Sequence, residues 1–197
     1  MYIRYKRLAI VETPKCASTS LSNIVASHFV TTSVVRHATL QQYKNAYPDI
    51  LGGIAVARDP AERFRSAVRF SVQKNYQDIS SCDLKSAISN LRYVGKVLPI
   101  DAVFFPQYSF LISDVPVRVY SIDRMRLLLS HLGIDKTPDV LNKSRESDHA
   151  SSIIDDIGRS FVEDFYSIDF ALYRDVSLSS DGFLELENPR EYFYSIR

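Results

Sequence analysis

Residues 14–21, with the sequence PKCASTSL, carry the first group of side chains whose types and spacing could do chemistry. This first loop follows an apolar run at residues 8–12, which predicts a buried strand, and precedes apolar residues at helical spacing. A strand–turn–helix junction rich in small residues can direct successive N–H groups into one concavity, where the helix N-terminus adds positive partial charge. One lysine and three hydroxyl donors complete a predicted site for phosphate or sulfate. The candidate residues are Lys15, Cys16, Ala17, Ser18, Thr19 and Ser20.

The first loop is not a Walker A loop. That motif, GxxxxGK[ST], has two glycines and places its lysine at the end. Residues 14–21 contain no glycine, and Lys15 stands near the beginning. An ordinary helix start, capped by Ser18 and with Lys15 as a surface lysine, stays open as the alternative.

Residues 58–69 form a second candidate loop and helix. A predicted strand at 52–57 runs directly into Arg58, and Asp59 and Pro60 are suited to the N-cap and the first position of a helix. The planar guanidinium of Arg58 could bind a phosphate, and the Ser66 hydroxyl could reach the same anion if strand end and helix pack closely. The alternative is a solvated basic helix face.

The two loops together resemble the nucleotide-binding motifs of sulfotransferases that use 3′-phosphoadenosine 5′-phosphosulfate (PAPS). Residues 14–21 are similar to the loop that binds the 5′-phosphosulfate, and residues 57–67 (ARDPAERFRSA) are similar to the RDPxxRxxS motif that binds the 3′-phosphate. Their order and separation resemble the carbohydrate, Golgi-type branch. The resemblance implies that Lys15 stabilises the leaving phosphate, that residues 17–20 cradle the phosphosulfate, and that Arg58 and Ser66 hold the 3′-phosphate.

Fainter similarities extend over residues 8–175. They comprise His37-Ala38-Thr39, Pro106-Gln107 on the acceptor side, residues 120–124, residues 141–144 and the closing segment 166–173 (YSIDFALY). Lys143 and its polar neighbours would close over the nucleotide. Two features depart from the branch: Val103-Phe104-Phe105 stand where relatives often carry a histidine, and the chain lacks the anchor and lumenal disulfides of Golgi members.

A hydroxyl acceptor also needs a base, and His37 is the candidate. Histidine suits proton transfer near neutral pH, and His37 follows a predicted second strand at 32–35 toward the same sheet edge. A purely structural role for His37 stays open, and Glu12 and His149 are the reserve candidates.

The predicted elements indicate a single α/β domain over residues 1–197, with a core at about 8–175 and a tail at 176–197. Short apolar strands that alternate with helices are typical of a mainly parallel sheet flanked by helices, and the resemblance implies the three-layer, P-loop-like sulfotransferase fold. The predicted strands are 8–12, 32–35, 52–57 and 117–122. The predicted helices lie at 21–29, at 40–47, from 60 onward, at 83–97, at 123–132 with Gly133 as terminator, and at 154–173 in two pieces, and the last two dozen residues are predicted to be irregular or extended.

The composition limits the class of protein and its partners. The formal net charge of +1 gives no general attraction to nucleic acid or membranes, and no apolar run is long enough to span a bilayer. Two cysteines do not make a disulfide framework, the four scattered histidines show no metal-binding spacing, and the cytoplasm is the predicted compartment. The resemblance implies that PAPS and a hydroxylated acceptor such as a glycan are the ligands, and no metal is expected. A nucleotide or metabolite kinase and a non-catalytic nucleotide-binding module are the competing interpretations.

Overall fold

The computed structural model describes residues 1–74, 80–94, 102–136 and 147–196. Within these residues, six strands form one mixed sheet in the order β3-β1-β2-β4-β5-β6. The strands are β1 (Tyr2–Ile3), β2 (Leu8–Val11), β3 (Thr31–Thr32), β4 (Gly52–Ala57), β5 (Val117–Ser121) and β6 (Phe183–Leu186). The α/β class and the helix-flanked sheet are as predicted.

The centre of the sheet is parallel and its margins are antiparallel. β2 pairs in parallel with β4, and β4 with β5, whereas β1 runs antiparallel to both of its neighbours and β6 runs antiparallel to β5. The prediction of a mainly parallel sheet therefore holds for the central strands only. Only residues 4–7 separate β1 from β2, and so short a connection can form a hairpin but not the crossover that parallel pairing requires.

Helices cover both faces of the sheet. They are α1 (Ser18–His28), α2 (Leu40–Ala46), α3 (Pro60–Lys74), α4 (Ser81–Val94), α5 (Met125–Leu132), α6 (Asp148–Ile157), α7 (Arg159–Phe165), α8 (Ser167–Leu178) and α9 (Pro189–Ser195). Side chains that alternate along the central strands pack toward α1 and α5 on one face and toward α2, α8 and α9 on the other. A further apolar cluster joins α3, α4, α6 and α7.

Local signals placed several boundaries correctly. The Asp59 carboxylate accepts a hydrogen bond from the Glu62 N–H at 2.9 Å, as expected for the N-cap of α3. Gly133 ends α5 with a left-handed φ of 80°. The strand predicted at 52–57 is β4 without change. In β4, a Cβ on Gly53 would lie 2.8 Å from Leu40 Cδ1, so this glycine allows α2 to approach the sheet closely.

Three predicted segments differ in part from the structure. The strand at 32–35 is reduced to β3, and Val34 and Val35 are exposed. The helix at 154–173 begins earlier and has three pieces, because Gly158 with φ 78° separates α6 from α7 and Tyr166 separates α7 from α8. In the tail, β6 is a short extended segment as predicted, whereas the helix α9, whose Phe193 is buried in the core, was not predicted. The predicted helix at 83–97 corresponds to α4, and its last three residues lie outside the described part of the chain.

None of the helices in the described ranges combines the length and the apolar character that crossing a bilayer requires.

Candidate functional site

The backbone of the first loop turns sharply between β2 and α1. Lys15 and Ala17 adopt left-handed conformations with φ of 63° and 57°. The Cys16 N–H donates to the Thr13 carbonyl oxygen at 3.3 Å, which closes the turn. Residues other than glycine rarely adopt this conformation, and turns that contain it can direct successive N–H groups to one side. The first loop therefore stores backbone strain where the sequence predicts an anion site.

The N-terminus of α1 is capped differently from the ordinary helix start considered above. Ala17 is the N-cap residue, and its side chain has no oxygen that could accept a hydrogen bond from the first N–H groups of the helix. Ser18 is already helical, so the alternative in which Ser18 caps the helix is wrong. The first N–H groups of an α-helix have no carbonyl partner within the helix, and they carry a positive partial charge that attracts anions.

The side chains of the first loop divide between the core and the surface. Cys16 is 1% exposed, and Ser20 is also buried, whereas Thr19 is exposed and Ser18 is half-buried. Burial raises the pKa of the Cys16 thiol to about 12, which keeps it protonated. The thiol donates to Gln107 and the N–H donates to Thr13, so both donors of Cys16 are engaged within the protein.

Arg58 connects the two candidate loops. It follows the last residue of β4, and β4 pairs in parallel with β2 in a register that sets Val11 beside Ala55. Both loops consequently leave the sheet at the carboxyl ends of adjacent parallel strands, where α/β proteins bind ligands. The Arg58 Nη1 donates to the Lys15 carbonyl oxygen at 3.3 Å, and Nη2 lies 3.9 Å from a Glu62 carboxylate oxygen.

The Lys15 side chain contacts α3, the helix that carries Ser66. The Lys15 Nζ is 4.4 Å from the centroid of the Phe70 ring, a cation–π contact. Ser66 precedes Phe70 by four residues and so shares its face of the helix. Ser66 is half-buried.

The side chain of Gln107 joins both loops. Its Oε1 accepts hydrogen bonds from the Arg58 N–H at 2.9 Å and from the Cys16 thiol at 3.1 Å. Its Nε2 donates to the Arg58 carbonyl oxygen at 2.9 Å. The resemblance puts Pro106-Gln107 on the acceptor side. The Gln107 side chain is only 1% exposed, however, so it does not face an acceptor. The Pro-Gln pair was the signal available in the sequence, but its role depends on contacts that only the fold supplies.

A buried polar group lies beneath Gln107. Asp169 on α8 accepts hydrogen bonds from the N–H groups of Gln107 and Tyr108 at 2.7 and 2.9 Å. Arg63 is fully buried, donates to the Phe105 carbonyl oxygen and lies over the Tyr166 ring. Burial raises the pKa of the Asp169 carboxyl, whereas the Arg63 charge and the two N–H donors oppose that rise.

The arginines of α3 therefore do not form the single solvated face considered as an alternative. Arg63 is buried in the group just described, and Arg65 is exposed and forms an ion pair with Glu62. Arg58 is intermediate, with 28% of its side chain exposed. Only Arg65 behaves as an ordinary surface cation of this segment.

His37 contacts Glu12, two residues before the first loop, but not in the predicted way. β3 lies at the sheet margin and is separated from β2 by β1, so His37 does not follow a strand that neighbours the site. It instead has a φ of 58°, and its Nδ1 lies 2.7 Å from the Glu12 carbonyl oxygen. Because a carbonyl can only accept, Nδ1 carries the proton, and the neutral ring then presents Nε2 as an acceptor.

The reserve candidates are placed differently. The Glu12 carboxylate accepts a hydrogen bond from the Ser22 hydroxyl and lies 3.5 Å from the amino group of Met1. His149 is exposed in the first turn of α6, which packs on α3 and α4. Lys143 lies outside the described residues. Among the described residues, no group of three or more histidine, cysteine, aspartate or glutamate side chains is placed to hold a metal ion.

A pocket of about 370 Å³ lies between α3, α6 and α7, away from Lys15. Ala61, Phe64 and Arg65 line it from α3. At 100° per residue, these three positions lie on the side of α3 roughly opposite Ser66 and Phe70. Asp59, which follows Arg58, also lines the pocket, whereas Lys15, Arg58 and Ser66 do not.

The chain matches no protein-family model, no curated protein and no solved structure.

Proposed function

We propose that this protein transfers a sulfuryl group from PAPS to a hydroxyl group, and that the acceptor is a carbohydrate. The observation that carries the proposal is the contact between Arg58 and the Lys15 backbone at the ends of adjacent parallel strands. Two motifs that are 43 residues apart in sequence are thus in direct contact. The carbohydrate acceptor rests on the resemblance of the motifs to that branch of the sulfotransferases.

The residues of this site are suited to a nucleotide with phosphate groups at both ends of its ribose. The Lys15 ammonium, the left-handed backbone at Lys15 and Ala17, and the N-terminus of α1 favour the 5′-phosphosulfate. The Arg58 fork and the Ser66 hydroxyl are the donors for the 3′-phosphate. Glu62 lies near Arg58, and the negative charge of its carboxylate opposes the binding of an anion there.

Catalysis by this site depends on positioning and on charge. When bound, PAPS supplies the sulfuryl group, and adenosine 3′,5′-bisphosphate is the product that leaves. His37 Nε2 takes the proton of the acceptor hydroxyl as its oxygen bonds to sulfur. The Lys15 ammonium stabilises the negative charge that develops on the 5′-phosphate as the sulfur–oxygen bond breaks.

Ligand-induced stabilisation tests the proposed nucleotide. Adenosine 3′,5′-bisphosphate at 100 times its Kd should stabilise the fold by about 2.7 kcal/mol. For a domain of this size, the expected rise in Tm is about 5–10 °C. At the same concentration, AMP and ATP should raise Tm much less, because neither offers a 3′-phosphate to Arg58 and both should bind more weakly. Equal shifts with ATP and the bisphosphate would contradict the proposal and favour a kinase.

A pair of arginine variants gives the matched control. Arg58→Ala should weaken binding of the bisphosphate by about 10- to 100-fold, as expected for loss of a charge-assisted hydrogen bond. Its affinity for the bisphosphate should fall toward that for AMP. Arg118→Ala removes an exposed arginine of β5 that pairs with Glu185, and it should leave both affinities unchanged.

Transfer itself is measured with radiolabelled PAPS and a panel of glycans and small alcohols. Incorporation of label into an acceptor is the expected result. Tight and specific binding of the bisphosphate without transfer to any acceptor on the panel would instead identify a nucleotide-binding module.

A further inference from the structure

The Gln107 amide binds the Arg58 residue as a neighbouring strand would. β5 pairs with β4 up to the partners Ala57 and Ser121, so Arg58 is the first residue beyond that ladder. Gln107 Oε1 accepts from the Arg58 N–H, and Nε2 donates to the Arg58 carbonyl oxygen, each at 2.9 Å. One side chain therefore fixes both polar groups of the residue from which the guanidinium extends.

The same amide fixes the first loop. Gln107 Oε1 also accepts a hydrogen bond from the Cys16 thiol at 3.1 Å, and Cys16 lies between the two left-handed residues of that loop. The three hydrogen bonds join residues 49 and 91 positions apart in sequence. A shift of the Gln107 side chain would consequently move both loops relative to each other.

Asp169 holds Gln107 in turn. The carboxylate accepts the N–H groups of Gln107 and of the following residue, Tyr108, at 2.7 and 2.9 Å, and Asp169 is fully buried. A buried carboxylate with two backbone donors is costly to leave unpaired, so α8 and the Gln107 backbone stay together. The chain of contacts runs from α8 through Gln107 to both loops.

We propose that Gln107 is a positioning residue that sets the distance between the 3′-phosphate and 5′-phosphosulfate parts of the site before the nucleotide binds, with Asp169 as its support. This inference rests on the proposed function. A site arranged in advance avoids the free-energy cost of ordering loops on binding. Gln107 touches no ligand itself, and its effect reaches the nucleotide through Arg58 and the first loop.

Gln107→Met is the first test, because methionine has a similar length and makes none of the three hydrogen bonds. The preference for adenosine 3′,5′-bisphosphate over AMP, measured well below the Tm of each variant, should fall by about tenfold or more if Arg58 loses its position. A merely structural role would lower Tm and leave this ratio of affinities unchanged. A folded Gln107→Met protein with the ratio of the wild type would overturn the proposal.

Gln107→Glu is the second test, because its hydrogen-bonding capacity depends on pH. A carboxylate cannot donate to the Arg58 carbonyl, whereas the neutral carboxyl can both donate and accept as the amide does. The titratable and charged groups that face residue 107 are Arg58 and Cys16 from the two loops, Asp169 from α8 and Arg63 from α3. In Gln107→Glu, the ratio of the affinity for adenosine 3′,5′-bisphosphate to that for AMP, divided by the wild-type ratio at the same pH, should rise toward one as pH falls. It should stay low in Gln107→Met at every pH, and a Glu variant that follows the Met variant would count against the proposal.

The rate of Cys16 alkylation decides the positioning role independently of the nucleotide. Cys82 is exposed and gives an internal reference in the same molecule. Gln107→Met should speed alkylation of Cys16 relative to Cys82, because the buried thiol loses its partner. If the wild-type protein binds adenosine 3′,5′-bisphosphate no better than AMP, the proposed function fails. If Cys16 of Gln107→Met is alkylated no faster than in the wild type, Gln107 does not hold the first loop.

Discussion

At the scale of the residue, Lys15 contributes to the candidate site through two separate groups, its backbone carbonyl and its side-chain ammonium. Its carbonyl accepts a hydrogen bond from Arg58, and its ammonium lies over the Phe70 ring. Replacement of the side chain leaves the carbonyl in place, so the two contributions can be separated. In the proposed reaction, the ammonium is needed most when charge develops on the leaving phosphate.

Lys15→Ala should therefore lower kcat by about 10²–10³-fold, the usual effect of removing one electrostatic stabiliser of a transition state. Affinity for the bisphosphate should fall much less. Steady-state kinetics with PAPS and a working acceptor measure both effects. Lys85→Ala is the matched control, since Lys85 also lies over a phenylalanine ring, that of Phe161, on another helix. An enzyme with normal kcat and a raised KM would contradict the role given to Lys15.

His37 also has two nitrogen atoms with different roles, and substitution can distinguish them. Asparagine places an N–H close to the position of Nδ1, so His37→Asn can keep the hydrogen bond to the Glu12 carbonyl while it removes Nε2. If His37 is the base, this variant should keep its Tm and nucleotide affinity and lose about 10²–10⁴-fold in kcat.

A purely structural His37 gives the opposite pattern. His37→Asn would then keep the stability and turnover of the wild type, whereas His37→Gln, which has no donor at the position of Nδ1, would lower both. Melting curves, bisphosphate affinity and kcat of the two variants settle the matter. Wild-type turnover in His37→Asn would direct the search for the base to Glu12 and then to His149.

At the scale of the element, the start of α1 is strained by a residue that is not glycine. An L-residue in the left-handed region costs about 1–2 kcal/mol, and Ala17 with φ 57° lies there. Glycine would remove that cost but would raise the entropy of the unfolded chain by about 0.4–1 kcal/mol. Ala17→Gly should thus change the free energy of unfolding by between about zero and 1.6 kcal/mol in the stabilising direction.

Two variants bracket this expectation in urea denaturation. Ala17→Val should destabilise by more than about 1 kcal/mol, because a β-branched residue is least tolerated at positive φ. Ala26 is an exposed residue within α1, and Ala26→Gly should cost about 1 kcal/mol, opposite in sign to Ala17→Gly. Equal effects of glycine at positions 17 and 26 would show that the loop is not strained in solution.

At the scale of the whole molecule, the last residues of the chain belong to the core. β6 extends the sheet beside β5, and Phe193 on α9 is 2% exposed with its ring 5.6 Å from that of Tyr108. Tyr108 in turn donates its N–H to Asp169, so α9 packs against the group that supports Gln107.

Phe193→Ala should destabilise the protein by about 3–5 kcal/mol, as expected for truncation of a buried aromatic side chain. The neighbouring Tyr194 is 59% exposed, and Tyr194→Ala should change stability by less than about 0.5 kcal/mol. Urea denaturation compares the two. Similar small effects would mean that α9 does not pack on the sheet.

Several features of the fold and of the site follow from neighbouring residues and could be predicted. The apolar run at 52–57 determines β4, Asp59 and Pro60 begin α3, and Gly133 ends α5. The positions of Lys15 and Arg58 after strands follow from the same local patterns. These predictions succeeded because periodicity, capping and backbone conformation act over a few residues.

Only the tertiary structure decided which polar residues are buried and which strands complete the sheet. Arg63 belongs to the same motif as Arg58, yet it is buried while Arg58 is partly exposed. Gln107 acquires its role from Arg58, Cys16 and Asp169, which lie 49 to 91 residues away. A side chain's burial and hydrogen-bond partners depend on elements distant in the chain, whereas local patterns depend on neighbours. The sequence by itself therefore determined where the two loops begin, and the fold determined how Gln107 and Asp169 hold them together.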